Sequence, residues 1–151
     1  MKMVSACLAG IPCRYDGAHK ENETLKKLVE SGAAISLCPE MLGGLPTPRN
    51  PAEIVGGDGK DVWSGTAKVV DNSGDDVTGI YKEGARKTLE QLRELGIEQI
   101  ILKEKSPSCG ACQIYDGTFS GELKKGVGVT AAYLQLHGLS VVSDEQFSSE
   151  K

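Results

Sequence analysis

The sequence predicts a single open α/β domain: a mostly parallel, Rossmann-like or flavodoxin-like sheet with a small antiparallel hairpin extension. Three observations carry this. Short apolar runs alternate with segments of helical period, which is the signature of a sheet built through crossovers. Glycine stands where each helical segment has to stop. The 151 residues suffice for one domain, in which roughly 68–70% of the unfolded chain's surface can be buried. The domain is expected over residues 1–145, with a polar, fraying tail over 146–151.

The elements follow in order. "KMVSAC" is a first strand running into the Gly- and Pro-containing loop "LAGIPCRYDG". A helix is expected from about Asn22, its cap, to Ser31, with Leu25, Leu28 and Val29 on one face and Gly32 as terminator. "AAISLC" is a second strand. "PEMLGGLPTPRNPAE" holds four prolines and two glycines and reads as a long ordered loop without regular helix. The next stretch, "EIVGGDGKDVWSGTAKVVDNSG", mixes turn signals with β-formers and reads as two or three antiparallel strands carrying the only tryptophan, Trp63.

The clearest helix runs from about Val77 to Leu95, where Tyr81, Ala85, Leu89, Leu92 and Leu95 recur at helical spacing and Gly96 ends it. "IEQIILK" is a third strand. After "KSPSCGACQIYDGTFSGELKKG" comes a helix over Val129 to His137, with Val129, Ala132, Tyr133 and Leu136 on one face, and then a fourth strand, "LSVVS".

Charge and composition narrow the classes. The formal net charge is −4, and there is no basic stripe interleaved with aromatics, which disfavours a polynucleotide partner. "MKMVSACLAG" is too short in its apolar part for a signal peptide or a membrane span. Hence the expectation is a cytoplasmic protein with no membrane partner. Five cysteines, an odd number in a reducing compartment, argue for metal ligation or thiol chemistry over a disulfide framework.

Ligands of open α/β sheets bind at the carboxyl ends of the strands, near a topological switch point. Cys7 follows the first strand, Cys38 ends the second, and Cys109 lies in the loop after the third. Each alone reads as a small hydrophobe at a strand end. Together they make a soft-ligand site suited to zinc, Cu(I) or an iron–sulfur cluster. The zinc-knuckle signal is poor, because only Cys109 and Cys112 have C-x-x-C spacing. A redox dithiol would open a helix, for which "SPSCGACQIYDG" leaves little room. A [4Fe–4S] cluster on three cysteines remains, and it would leave one iron open.

With "SACLAGIPCRYDG", "CPEMLGGLPTPRNPAEI" and "KSPSCGACQIYDGTFSG" in that order, the chain resembles the thiouracil desulfidases of the TudS type, across nearly its whole length. The resemblance implies a [4Fe–4S] cluster held by the cysteines that match Cys7, Cys38 and Cys109. It further implies that the open iron takes the sulfur of a thiolated pyrimidine base, a small-molecule partner, which is converted to its oxo form with release of sulfide. Ser106 matches a serine three residues before the last cysteine, and Glu40 is the carboxylate chosen for acid–base work. Cys112 matches no required cysteine.

Each of these residues also has a plainer reading. Glu40 could cap backbone N–H groups or pair with Arg49, and Ser106 could be a turn former before Pro107. Cys13, Arg14 and Arg49 are candidates for substrate contact or for support behind the cysteines; their plainer roles are a buried thiol and ion pairs to Asp16 or Glu53. His19 and His137 read as a solvated loop residue and a charge at a helix end. Two other functions stay open on the residues alone: a cysteine-persulfide sulfur-transfer partner, and a non-enzymatic metal-binding module.

Overall fold

Four parallel strands form the central sheet: β1 (Lys2–Ser5), β2 (Ala34–Leu37), β5 (Gln99–Leu102) and β8 (Ser140–Ser143), in the spatial order β2-β1-β5-β8. The computed structural model describes residues 1–9, 23–45 and 50–145, without the side chains of Cys7 and Ala9. Asn22, Cys13, Arg14, His19, Arg49 and the tail from residue 146 lie outside the described residues. No described helix is long and apolar enough to cross a membrane.

The period-2 alternation of the strands decides which helix covers which face. Met3, Ile100 and Leu102 point to one side and pack with Leu89 and Leu92 of α4 (Thr78–Leu95) and Ala131, Ala132 and Leu134 of α5 (Val129–Leu136). Val4 and Ile101 point to the other and pack with Leu25 of α1 (Glu23–Glu30). The predicted terminators hold: Gly96 closes α4 with φ 69°, and Gly32 and Gly138 also have positive φ.

Three expectations are corrected. The proline-rich segment opens with one helical turn, α2 (Pro39–Leu42). Proline at the first helical position has its φ already set and lacks only an N–H that no intrahelical bond would use. Trp63 is carried by a helix, α3 (Gly59–Ser64), between the strands β3 (Ala52–Val55) and β4 (Lys68–Asp71), which do pair antiparallel. The missed signal was a capping box: Asp58 accepts from the Lys60 and Asp61 N–H groups, and the Asp61 side chain accepts from the Asp58 N–H. Leu136, expected on the buried face of α5, is 64% exposed.

Trp63 packs inward from α3. Its ring stacks on Tyr133 with centroids 4.4 Å apart, and its indole N–H donates to the Val129 carbonyl at 2.9 Å. A second hairpin, β6 (Gln113–Tyr115) with β7 (Leu123–Lys125), follows the C-x-x-C segment. The third and fourth sheet strands are therefore joined by hairpin and helix together.

Candidate functional site

The chain leaves β1 for β2 on one side of the sheet and reaches β5 on the other, so the switch point lies between β1 and β5. A cavity of about 650 Å³ opens there. Ser5 and Ala6 from the end of β1, Cys38 from the end of β2 and Lys103 from the end of β5 line it, with Glu40, Ser106 and Cys109.

The chain delivers these groups by simple local rules. Cys38 precedes Pro39, which disfavours helical backbone at Cys38; at φ −118°, ψ 104° it finishes the strand as an extended N-cap. Pro39 starts α2 at once, so Glu40 falls in the first turn, above the strand end. Opposite it, the Ser106 hydroxyl accepts from the N–H groups of Ser108 at 3.1 Å and Cys109 at 3.2 Å, turning the loop after Pro107.

Glu40 and Ser106, chosen separately from sequence, are in contact. The Ser106 hydroxyl donates to Glu40 Oε1 at 3.2 Å, and the Tyr81 hydroxyl donates to Oε2 at 2.8 Å. Ser106 is thus both the turn former and a partner of the carboxylate. Tyr81 escaped the sequence reading as anything but a core position on α4; it is 3% exposed, and a buried phenol needs a partner for its O–H. That need was the available signal.

Two described cysteines line the cavity, Cys38 half-buried and Cys109 buried, and no disulfide joins them. Burial first, then the neighbouring charges of Glu40 and Cys38, push the Cys109 thiol far above the ordinary range, against smaller opposing effects of the Ser5 and Ser108 hydroxyls. Cys109 also packs against the apolar cluster beneath the sheet. Cys112 is exposed and unbonded to Cys109; the C-x-x-C spacing does not make a pair. Cys7 falls in the 3₁₀ turn Ala6–Ala9 that continues β1, while Cys13, Arg14 and Arg49 fall outside the described residues. His137 caps the carboxyl end of α5, 3.2 Å from Arg93 and tilted against the Tyr133 ring.

Glu104 was not singled out in the sequence. Only 4% exposed, it accepts through Oε1 from the N–H groups of Lys105, Ala111, Cys112 and Gln113 at 2.9–3.3 Å. Burial raises its pKa, but the backbone donors of Cys112, Gln113 and Lys105 with the Ser143 hydroxyl outweigh it and hold the carboxyl below the usual range. The loop bearing Cys109 is therefore wrapped around an anion.

A family model for 2-thiouracil desulfurase matches residues 3–146. The chain belongs to the 2-thiouracil desulfurase family. Another protein similar to it, the uncharacterized YbbK of Bacillus subtilis (strain 168), is 53% identical over 148 residues, 98% of each chain. Among solved structures, the [4Fe–4S]-dependent thiouracil desulfidase TudS (DUF523Vcz) superposes with a TM-score of 0.84 at 44% identity, covering 97% of this chain and 92% of that one. The family resemblance read from the three motifs and the α/β fold are both borne out. Within this desulfurase-family fold, the cavity at the switch point brings together the Cys38 and Cys109 thiols, the Glu40 carboxylate and the Ser106 hydroxyl.

Proposed function

We propose that this chain is a [4Fe–4S]-dependent desulfidase that converts a thiouracil-like base to its oxo form with release of sulfide. Its family and the cofactor dependence of TudS support the reading. The observation that carries it to particular residues is the juxtaposition of Cys38 and Cys109 with the Tyr81–Glu40–Ser106 chain in one cavity.

The donor set fits the cluster. A thiolate at Cys109 is disfavoured by burial and by the negative charge of Glu40, and a cationic iron centre is the kind of partner that would offset both. Cys38 and Cys109 would hold it together with Cys7, whose backbone position at the end of β1 is adjacent to the cavity-lining Ser5 and Ala6. When bound through three protein ligands, such a cluster supplies an open iron, a Lewis acid for the substrate's sulfur.

The protein's own groups do the rest. Glu40 accepts a proton from water as its oxygen adds to the thiocarbonyl carbon. Ser106, bonded to Oε1, carries a proton toward the departing sulfur as the C–S bond breaks. Water and the thiobase thus yield the oxo base and hydrogen sulfide, with no net oxidation. Tyr81 fixes the carboxylate so that Oε1 faces Ser106. A positioned acid–base group contributes typically about 10²–10⁴ in rate.

Anaerobic purification tests this. The protein should be brown, carry about four irons per chain, and release sulfide from 2-thiouracil. A colourless protein holding zinc, or a brown one that leaves every thiolated base intact, sinks the reading.

A further inference from the structure

One wall of the cavity lies apart from the thiols and the Tyr81–Glu40–Ser106 chain in sequence and comes from the β6–β7 hairpin. Phe119 lines it from the tip of the β6–β7 hairpin, 40% exposed, with the uncommon positive φ of 57°. A bulky residue in that region of backbone space has to be held there by its surroundings.

Its neighbours on β3 hold it. Glu53, on β3 and 9% exposed, accepts through Oε1 from the N–H groups of Gly117 at 2.9 Å and Phe119 at 3.2 Å. Gly117, with φ 93°, lies so close to β3 that a Cβ there would sit 2.6 Å from the Ile54 carbonyl oxygen. Between them the turn is closed internally: Asp116 Oδ1 accepts from the Thr118 N–H at 3.0 Å and its hydroxyl at 2.6 Å, and the Asp116 N–H donates to the Glu122 carbonyl at 2.9 Å. Behind the turn, Lys124 Nζ donates to the Gly57 carbonyl at 2.7 Å. The hairpin tip is pinned to β3 as a fixed wall, not hung from a hinge.

A planar heteroaromatic ring gains most from a fixed aromatic face, because stacking uses the π surface that every base presents and a rigid platform loses little freedom. We propose that Phe119 is a specificity-determining residue, the stacking face for the base at the mouth of the cavity, and that Glu53 is the positioning residue that holds it there. This rests on the desulfidase reading of the same cavity.

The test uses anaerobically purified holoenzyme with 2-thiouracil, comparing wild type with Phe119→Ala, Phe119→Trp and Glu53→Ala. Losing the platform should raise KM roughly tenfold with kcat within about twofold, while tryptophan keeps KM near wild type. Glu53→Ala should reproduce the KM effect at unchanged iron content; should that variant not fold, the two Phe119 variants decide alone. A wild-type KM in Phe119→Ala, or a loss confined to kcat, overturns the proposal. Isothermal titration of 2-thiouracil into the same proteins separates it from the reading it rests on. If wild type releases no sulfide, the desulfidase assignment falls, while binding about tenfold weaker in Phe119→Ala still supports stacking; equal binding, or none to either, overturns it.

Discussion

Ser106 holds two positions at once, and its variants separate them. Its oxygen accepts from the Ser108 and Cys109 N–H groups while its proton goes to Glu40. Ser106→Ala removes both and leaves two backbone donors without that acceptor, costing about 1–3 kcal/mol where such groups are buried as well as rate. Glu40→Gln keeps one acceptor oxygen, for Tyr81 or for Ser106 but not for both, and removes the base. It should fold normally, keep its iron, and lose about 10²–10⁴ in kcat, read as sulfide release against iron content. The cysteines divide in the same way. Cys109→Ser should lose iron, whereas Cys112→Ala, changed at an exposed thiol, should keep the wild-type iron-to-protein ratio. Iron loss in Cys112→Ala would restore the C-x-x-C pair as a unit.

At the scale of elements, α2 is the piece the sequence hid and the piece that matters most. It is one turn long, and its position is fixed by glycines in two elements that meet. A Cβ on Gly84 of α4 would collide with the Pro39 carbonyl oxygen, and one on Gly43 would collide with the Ile80 carbonyl oxygen. Backbone against backbone, α2 rests on α4 closely enough for Tyr81 to reach Glu40. Gly84→Ala should therefore push α2 away, cost about 1–3 kcal/mol in chemical denaturation by overpacking, and lower turnover with no catalytic atom changed. Stability lost at wild-type turnover would mean that the contact is structural only. The long helices and buried strands were legible because their periodicity extends over many residues. Two short helices were not: α2 was masked by its proline count, and α3 by the glycines around its capping box. The Tyr81–Glu40 and Glu53–Phe119 contacts span 41 and 66 positions, so no local pattern announces them. The convergence of Cys38 and Cys109 was legible because strand order and direction alone bring strand ends together.

For the whole molecule, the carboxyl edge of the sheet is one hydrogen-bonded unit centred on Glu104. The Lys103 N–H donates to the Ser5 hydroxyl at 3.0 Å, tying β5 to β1, and the Glu104 N–H donates to Asp144 Oδ1 at 2.9 Å, tying it to the end of β8. The Glu104 carboxylate then collects the loop that carries Cys109. Its folded pKa is depressed below the ordinary glutamate value, so the unfolded chain binds this proton more readily than the folded one. The resulting stability is fully present at neutral pH, above the unfolded value of about 4.3, and is lost as pH falls through the folded value. Glu104→Gln removes that titration while keeping one acceptor oxygen. It should be less stable than wild type at pH 7, because a neutral amide is a weaker acceptor for backbone donors than a carboxylate. Its melting temperature should then fall less steeply in acid, so that the two curves converge well below pH 4.3. Thermal melts of both proteins across that range read the difference directly. Curves that stay parallel would show that the Glu104 proton is not what couples this edge of the sheet to pH.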